Sequence, residues 1–199
     1  MKLLALLTLV FSNAAWAVPY QNGDIIFQES QSNQSKAIRE ATNSRWSHVG
    51  ILFEQGDKWY VAEAVQPVRL TSLASFIKRG KDRDYQIYRL PGLTTAQKRS
   101  LADEVRSYIG QDYDIYFEWT DDLIYCSELV YKVFLKATGI EIGTVQKFRD
   151  LRLDGPYARE LIRRRLQDTG RKLDLEELIV TPVTQIEDAD LVLVEQKGQ

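Results

Sequence analysis

The apolar positions of this chain change period along its length. Ile25-Ile26-Phe27 follows the Gly23-Asp24 turn as a short apolar strand. Ser35 to Thr42 (SKAIREAT) sets Ala37, Ile38 and Ala41 at helical spacing. His48 to Phe53 alternates and is rich in β-formers, Gln55-Gly56-Asp57 reads as a turn, and Trp59 to Val65 (WYVAEAV) reads as a second strand. The pair predicts a hairpin. Leu73 to Lys78 fits a short helix and Tyr85 to Leu90 an alternating strand. A longer helix runs from the Thr94-Thr95 cap to Tyr108, where Gly110 stops it. Ile124 to Ala137 keeps a helical period through Leu129, Val130, Val133, Phe134 and Ala137, and Gly139 ends it. Tyr157 to Gln167 (YARELIRRRLQ) predicts a basic helix, Asp174 to Ile179 leads to Thr181-Pro182, and Ala189 to Val194 reads as a late strand. The order is strands, then helices, then a strand, which indicates an α+β fold rather than a parallel doubly wound sheet.

The first residues have another character. Lys2 precedes an apolar run from Leu3 to Phe11, and Ala15-Trp16-Ala17 supplies small residues at the end. That is the pattern of a secretory signal peptide. The run is too short to span a bilayer, which takes about 20 apolar residues. Cleavage after Ala17 is therefore expected, with residues 18–199 forming one exported domain in the periplasm, and no later run is long and apolar enough to span a membrane. The chain has 199 residues, 44% hydrophobic and 27% charged, which fits a globular protein able to bury its own core. Losing Lys2 with the leader moves the formal net charge from −2 to −3, and nothing in that balance favours nucleic acid.

The chain contains one histidine, His48, and one cysteine, Cys126. An exported chain with one cysteine forms no internal disulfide. A thiol kept in an oxidising compartment is open to oxidation, so it is either buried as a small apolar residue or in use. Pairing Glu54 with Asp57 across the turn sets Leu52 beside Trp59, Gly50 beside Val61 and His48 directly opposite Glu63. Glu63 then holds one imidazole nitrogen and sets the tautomer, while Gly50 leaves space beside the ring. Cys126 falls in the first turn of a helix that Thr120, Asp121 or Asp122 is placed to cap, where unpaired N–H groups and the helix dipole favour a thiolate. A thiolate–imidazolium pair would attack a carbonyl, a backbone amide at the helix start would hold the oxyanion, and His48 would protonate the leaving group. Each residue alone has an ordinary reading: a core cysteine, a hydrogen-bonded or surface histidine, a solvent-facing glutamate. Together they point to cysteine catalysis. No cofactor is expected: two cysteine or histidine residues fall short of a structural zinc site, and no Gly-rich phosphate loop is present.

Six stretches carry a resemblance: QNGDIIFQ (Gln21 to Gln28), NQSKAIREAT (Asn33 to Thr42), SHVGILF (Ser47 to Phe53), YVAEAVQPV (Tyr60 to Val68), GQDYDIYFEW (Gly110 to Trp119) and YCSELVYKV (Tyr125 to Val133). With these the chain resembles the permuted papain-like cysteine hydrolases of the NlpC superfamily, in their YiiX-like branch. The resemblance implies a circularly permuted papain-like fold, with an antiparallel sheet packed against helices that include the cysteine helix. It implies Cys126 as nucleophile, His48 as base and Glu63 as the group that orients the imidazole. It sets Tyr125, Tyr113 and Asp114 at the pocket wall, with ordinary packing as the alternative for each. Relatives cleave peptide amides in wall material, and other permuted members act on lipid acyl groups. Export favours an envelope substrate. The expectation is thus an exported thiol hydrolase acting on an amide or ester, favoured on wall peptide. The alternatives are a lipid-directed acyl hydrolase or acyltransferase and a catalytically silent binding protein using the same cleft. Arg159, Arg163, Arg164 and Arg165 would meet an anionic envelope polymer or headgroup, or form a solvated helix face.

Overall fold

A computed structural model describes residues 19–197. The leader and its cleavage site lie outside the described residues. The strands are β1 (Ile25–Ser30), β2 (His48–Gln55), β3 (Lys58–Glu63), β4 (Arg69–Ser72), β5 (Gly80–Arg89), β6 (Gln146–Lys147), β7 (Leu178–Ile179) and β8 (Val192–Lys197). The helices are α1 (Asn33–Thr42), α2 (Leu73–Arg79), α3 (Thr95–Tyr108), α4 (Cys126–Thr138), α5 (Pro156–Thr169) and α6 (Pro182–Ile186). Six strands form one sheet in the order β4-β3-β2-β1-β5-β8, and every neighbouring pair in it is antiparallel.

Helices cover both faces of the sheet centre. On one face Phe27, Val49, Ile51 and Ala62 meet Leu101 and Val105 of α3 and Leu129, Val133 and Phe134 of α4. On the other, Ile26, Leu52, Val61 and Ile87 pack on Phe76 of α2. This is why IIF is an unbroken apolar run, and why β2 is buried without interruption from His48 to Phe53 rather than alternating as the sequence suggested: a sheet with one wet face would alternate cleanly. Each fully buried aliphatic or aromatic side chain on α4 contributes about 1.5–3 kcal/mol of transfer free energy, and those residues fix the helix on the sheet. Among the described residues no helix is long and apolar enough to cross a membrane.

A third cluster lies beside the sheet, where Phe117, Tyr125, Phe148, Ile179 and Val180 pack under α1 and α5. Glu40 of α1 caps α5: its Oε2 accepts the N–H groups of Tyr157 and Ala158 at 2.9 Å each. Gly155 makes this possible, since a Cβ there would lie 1.9 Å from the Glu40 Cδ.

The start of α4 differs from expectation in its position and in its cap. Helix α4 begins at Cys126, because Ile124 instead forms a parallel bridge with Tyr113. Its start is not capped by Thr120, Asp121 or Asp122; the Glu128 carboxylate reaches back to the Tyr125 N–H at 3.4 Å, and Asp121 pairs with Lys132.

Candidate active site

The site lies where β1 and β3 end and β2 begins. The β2–β3 turn has Gly56 and Asp57 as its central residues, and Gly56 has φ +61°. A positive φ at the first central position is the type II′ arrangement that favours glycine. The pairing is therefore Gln55 with Lys58 and Leu52 with Val61, two residues away from the register the sequence suggested. A shift of two keeps every side chain on its face. His48 and Glu63 become diagonal neighbours, and the glutamate spans the difference: His48 Nε2 lies 2.6 Å from Glu63 Oε2. Gly50 has a different reason than room for the imidazole. A Cβ there would come 2.4 Å from Val61 Cγ1 and 2.8 Å from the Ala62 carbonyl oxygen, so the absent side chain is where β3 packs.

Glu63 is completely buried and fully engaged. Thr71 Oγ1 of β4 donates to Oε1 at 2.5 Å, and Arg79 Nη2 of α2 lies 2.6 Å from Oε1 and 2.7 Å from Oε2. Burial alone would raise its pKa, but the His48 hydrogen bond and charge, with Thr71 and Arg79 behind them, hold it at about 2. Burial likewise works to lower the pKa of His48. Hydrogen bonds to Cys126 and Glu63, and the charges of both, overcome it and raise the value to about 9. The imidazole stacks on Phe76 at 5.5 Å between centroids.

Cys126 is the first residue of α4 and is 1% exposed. With Nε2 committed to Glu63, the ring nitrogen left to serve Cys126, whose charge helps raise the imidazole, is Nδ1. Sulfur, imidazole and carboxylate thus form one buried series, drawn from a helix start and two adjacent strands.

Of the three residues expected at the pocket wall, the structure brings Tyr113 to the site. It lines a cleft with His48, Gln28, Ser47 and Gln66, of about 420 Å³, and burial followed by the Cys126 charge raises its pKa well above the ordinary phenol value. Tyr125 belongs to the packing: it is 1% exposed, its ring meets Phe117 edge-on, and its hydroxyl accepts the Val180 N–H at 3.2 Å. Asp114 is also buried and shapes a loop. Its Oδ1 accepts the Tyr116 N–H at 2.8 Å, while its buried Oδ2 has no hydrogen-bond partner. Phe117, in the same loop, has φ +58°, a conformation that bulky residues rarely adopt. The Phe117 ring thereby lines a second, apolar cavity of about 60 Å³ with Cys126, Phe148, Ile179, Val180 and Pro182. Ile38 of α1 belongs to the walls of both spaces.

The basic run on α5 is largely engaged within the chain. Arg163 and Arg164 pair with Glu160, and Arg165 is buried between Glu118 and Glu177. Arg159 is exposed.

Sequence reasoning missed Thr71, Phe76, Arg79, Gln28 and Phe117. The SLASFIKR stretch did show a Ser-capped amphipathic helix, which would set Phe76 and Arg79 near one another at i,i+3 spacing. Nothing local marks Thr71, because its strand β4 has only four residues.

Comparison with known proteins places the chain in a family. Residues 19–193 match the family described as permuted papain-like amidase enzyme, YaeF/YiiX, C92 family. The protein YiiX of Escherichia coli (strain K12) is 41% identical over 180 residues, which is 90% of this chain and 88% of that protein. The crystal structure of metalloprotein YiiX from Escherichia coli O157:H7 superposes with a TM-score of 0.83 at 40% identity, covering 89% of this chain and 97% of that one. The chain belongs to the permuted papain-like amidase family of YaeF and YiiX.

Proposed function

We propose that this chain is an exported thiol amidase that cleaves an amide bond in a cell-envelope substrate, with wall peptide favoured, through Cys126, His48 and Glu63. One observation carries the reading: Glu63, fixed by Thr71 and Arg79, holds Nε2 of a buried imidazole and so leaves its other nitrogen for the buried Cys126 at the start of α4. Cys126 Sγ attacks the carbonyl carbon while the backbone N–H at the start of α4 steadies the oxyanion. The C–N bond breaks as the His48 imidazolium gives its proton to the amine nitrogen, leaving a thioester. Water then adds to the thioester carbonyl, His48 takes its proton, and the C–S bond breaks to release the acid and restore the thiolate–imidazolium pair. Glu63 keeps Nε2–H pointed at itself, so that Nδ1 carries the proton traffic.

A second reading, a lipid-directed acyl hydrolase or acyltransferase, is favoured by the apolar cavity that Cys126 and Phe117 line. An acyl chain would lie there with its carbonyl at the sulfur.

The YiiX structure from Escherichia coli O157:H7 is described as a metalloprotein. The residues here do not fit a metal centre. Among the described residues no group of three or more His, Cys, Asp or Glu side chains is arranged to hold an ion, and both oxygens of Glu63 already receive protein donors.

The test is incubation of the protein, and of Cys126→Ala, with a mixture of wall peptides and acyl lipids, read by mass spectrometry. A product made by the wild type and lost in the variant identifies bond and nucleophile together. Identical spectra would favour the binding-protein reading. N-terminal sequencing of the envelope form should begin at Val18; a chain retaining Met1 would refute export by cleavage.

A further inference from the structure

The cleft on the His48 side is lined by four glutamines, and they are not alike. Gln31 Nε2 lies 3.2 Å from the Arg79 carbonyl oxygen, Gln34 Nε2 3.0 Å from that of Ile115, and Gln66 bonds both Asp112 Oδ1 and the Tyr113 N–H at 2.6 Å. These three tie loops together. Gln28 is different. It is 2% exposed, and its buried Oε1 has no hydrogen-bond partner. In the sheet register it stands directly opposite His48, so the two side chains share a face. Its carboxamide lies against Gly80, where a Cβ would come 2.5 Å from Oε1, and the β1–β5 pairing is irregular between Gln28 and Ser30. Irregular pairing next to an active site commonly re-aims a side chain. A buried polar side chain without a partner costs stability, and this one borders the cleft that also holds His48 and Tyr113.

His48 is the group that protonates the departing amine, so its cleft is the leaving-group side. The charged side chain in that wall, Arg79, is bound to Glu63. The remaining polar walls are amides and hydroxyls, suited to a neutral partner. A carboxamide offers one acceptor and two donors, and another carboxamide meets both functions at once.

We propose that Gln28 is a specificity-determining residue that hydrogen-bonds a peptide-like amide in the amine portion of the substrate, so that the enzyme selects neutral, amide-bearing leaving groups. This rests on the thiol-amidase reading of the site. It also separates the two spaces by role: the acyl half at Cys126 and the apolar cavity, the amine half against Gln28.

The experiment uses matched amides with one acyl half, N-acetylalanyl or hexanoyl, and two leaving amines of similar shape, glycinamide and isobutylamine. Wild type, Gln28→Met and Cys126→Ala are compared by kcat/KM. Wild type should prefer glycinamide by roughly tenfold, the worth of one or two hydrogen bonds. Gln28→Met should bring the ratio to about one, through a fall on glycinamide roughly tenfold greater than any fall on isobutylamine. A merely structural role would depress both substrates alike. Equal rates in the wild type overturn the inference even if the variant fails to fold, and so does a preference that persists in Gln28→Met. Absence of turnover in the wild type, or turnover unchanged in Cys126→Ala, overturns the amidase reading itself.

Discussion

Replacing Glu63 by glutamine keeps the shape of the side chain and removes its charge, and the neighbouring donors decide how the new carboxamide turns. Thr71 Oγ1 at 2.5 Å and Arg79 Nη2 at 2.6 Å and 2.7 Å are those donors. They draw the carboxamide oxygen of the new side chain, so its NH₂ turns to His48 Nε2. That nitrogen must then accept, and the ring carries its single proton on Nδ1, where the thiol proton should go. The ring is left with no basic nitrogen facing Cys126. The charge-assisted bond that is lost, at 2.6 Å, is worth roughly 1.5–3 kcal/mol. At about 1.4 kcal/mol per pKa unit this lowers His48, now raised to about 9 against the pull of burial, by roughly one to two units. Cys126 is the sole thiol of the chain, so alkylation by iodoacetamide, followed as a mass shift, reads the consequence directly. At about pH 6 the variant should react at least ~10-fold more slowly than wild type, and turnover should fall by ~10²-fold or more, as expected when a triad imidazole is held in the wrong tautomer. Equal alkylation rates and pH profiles in a folded Glu63→Gln protein would refute the reasoning.

Three further predictions are independent of substrate or of each other. His48 is raised to about 9 from 6.5, so the stability it contributes is complete below pH 6.5 and lost as pH rises through about 9. Glu63, lowered from 4.5 to about 2, contributes stability present above pH 4.5 and lost only on acidification toward about 2. The melting temperature should therefore drop across the alkaline window, and a flat profile there would contradict the buried ion pair. Gly50→Ala places a Cβ 2.4 Å from Val61 Cγ1 and 2.8 Å from a backbone oxygen, which should cost roughly 1–3 kcal/mol in urea denaturation; an unchanged midpoint would show that β3 gives way. Dialysis against EDTA should leave turnover unchanged, and a loss restored by added zinc would show a metal centre that the donor arrangement does not foresee.

The elements with long periods were legible in the sequence. Helices α3 and α4 and the β2–β3 hairpin carry enough residues for their pattern to stand out, and Thr94 and Gly139 mark a cap and a stop as the sequence indicates. Strands β6 and β7 have two residues each and α6 has five, too few for a period to register. Thr181-Pro182 was visible as a pair, yet its role as N-cap and first turn of α6 depends on packing against Gly143 and Ser127 through Gln185. The cap of α4 was misplaced for a similar reason. Asp121 looks like a cap in sequence, but Lys132 one helix face away claims it, and Glu128 within the helix takes the Tyr125 N–H.

The hairpin shows which errors a site tolerates. A register wrong by one residue would have moved Glu63 to the opposite face and left His48 without a partner; a register wrong by two changed only which neighbour it faces across the strands. The side chain length of glutamate covers that diagonal, and Thr71 and Arg79 fix where its carboxylate comes to rest. What the sequence has to specify for this chemistry is therefore the parity of the pairing, set by one left-handed glycine at the turn, together with a helix whose apolar stripe seats its first residue near the start of β2. Chain order does not enter that requirement. Histidine can precede cysteine, as here, because an antiparallel sheet and a helix docked on it define the meeting point from either direction of threading.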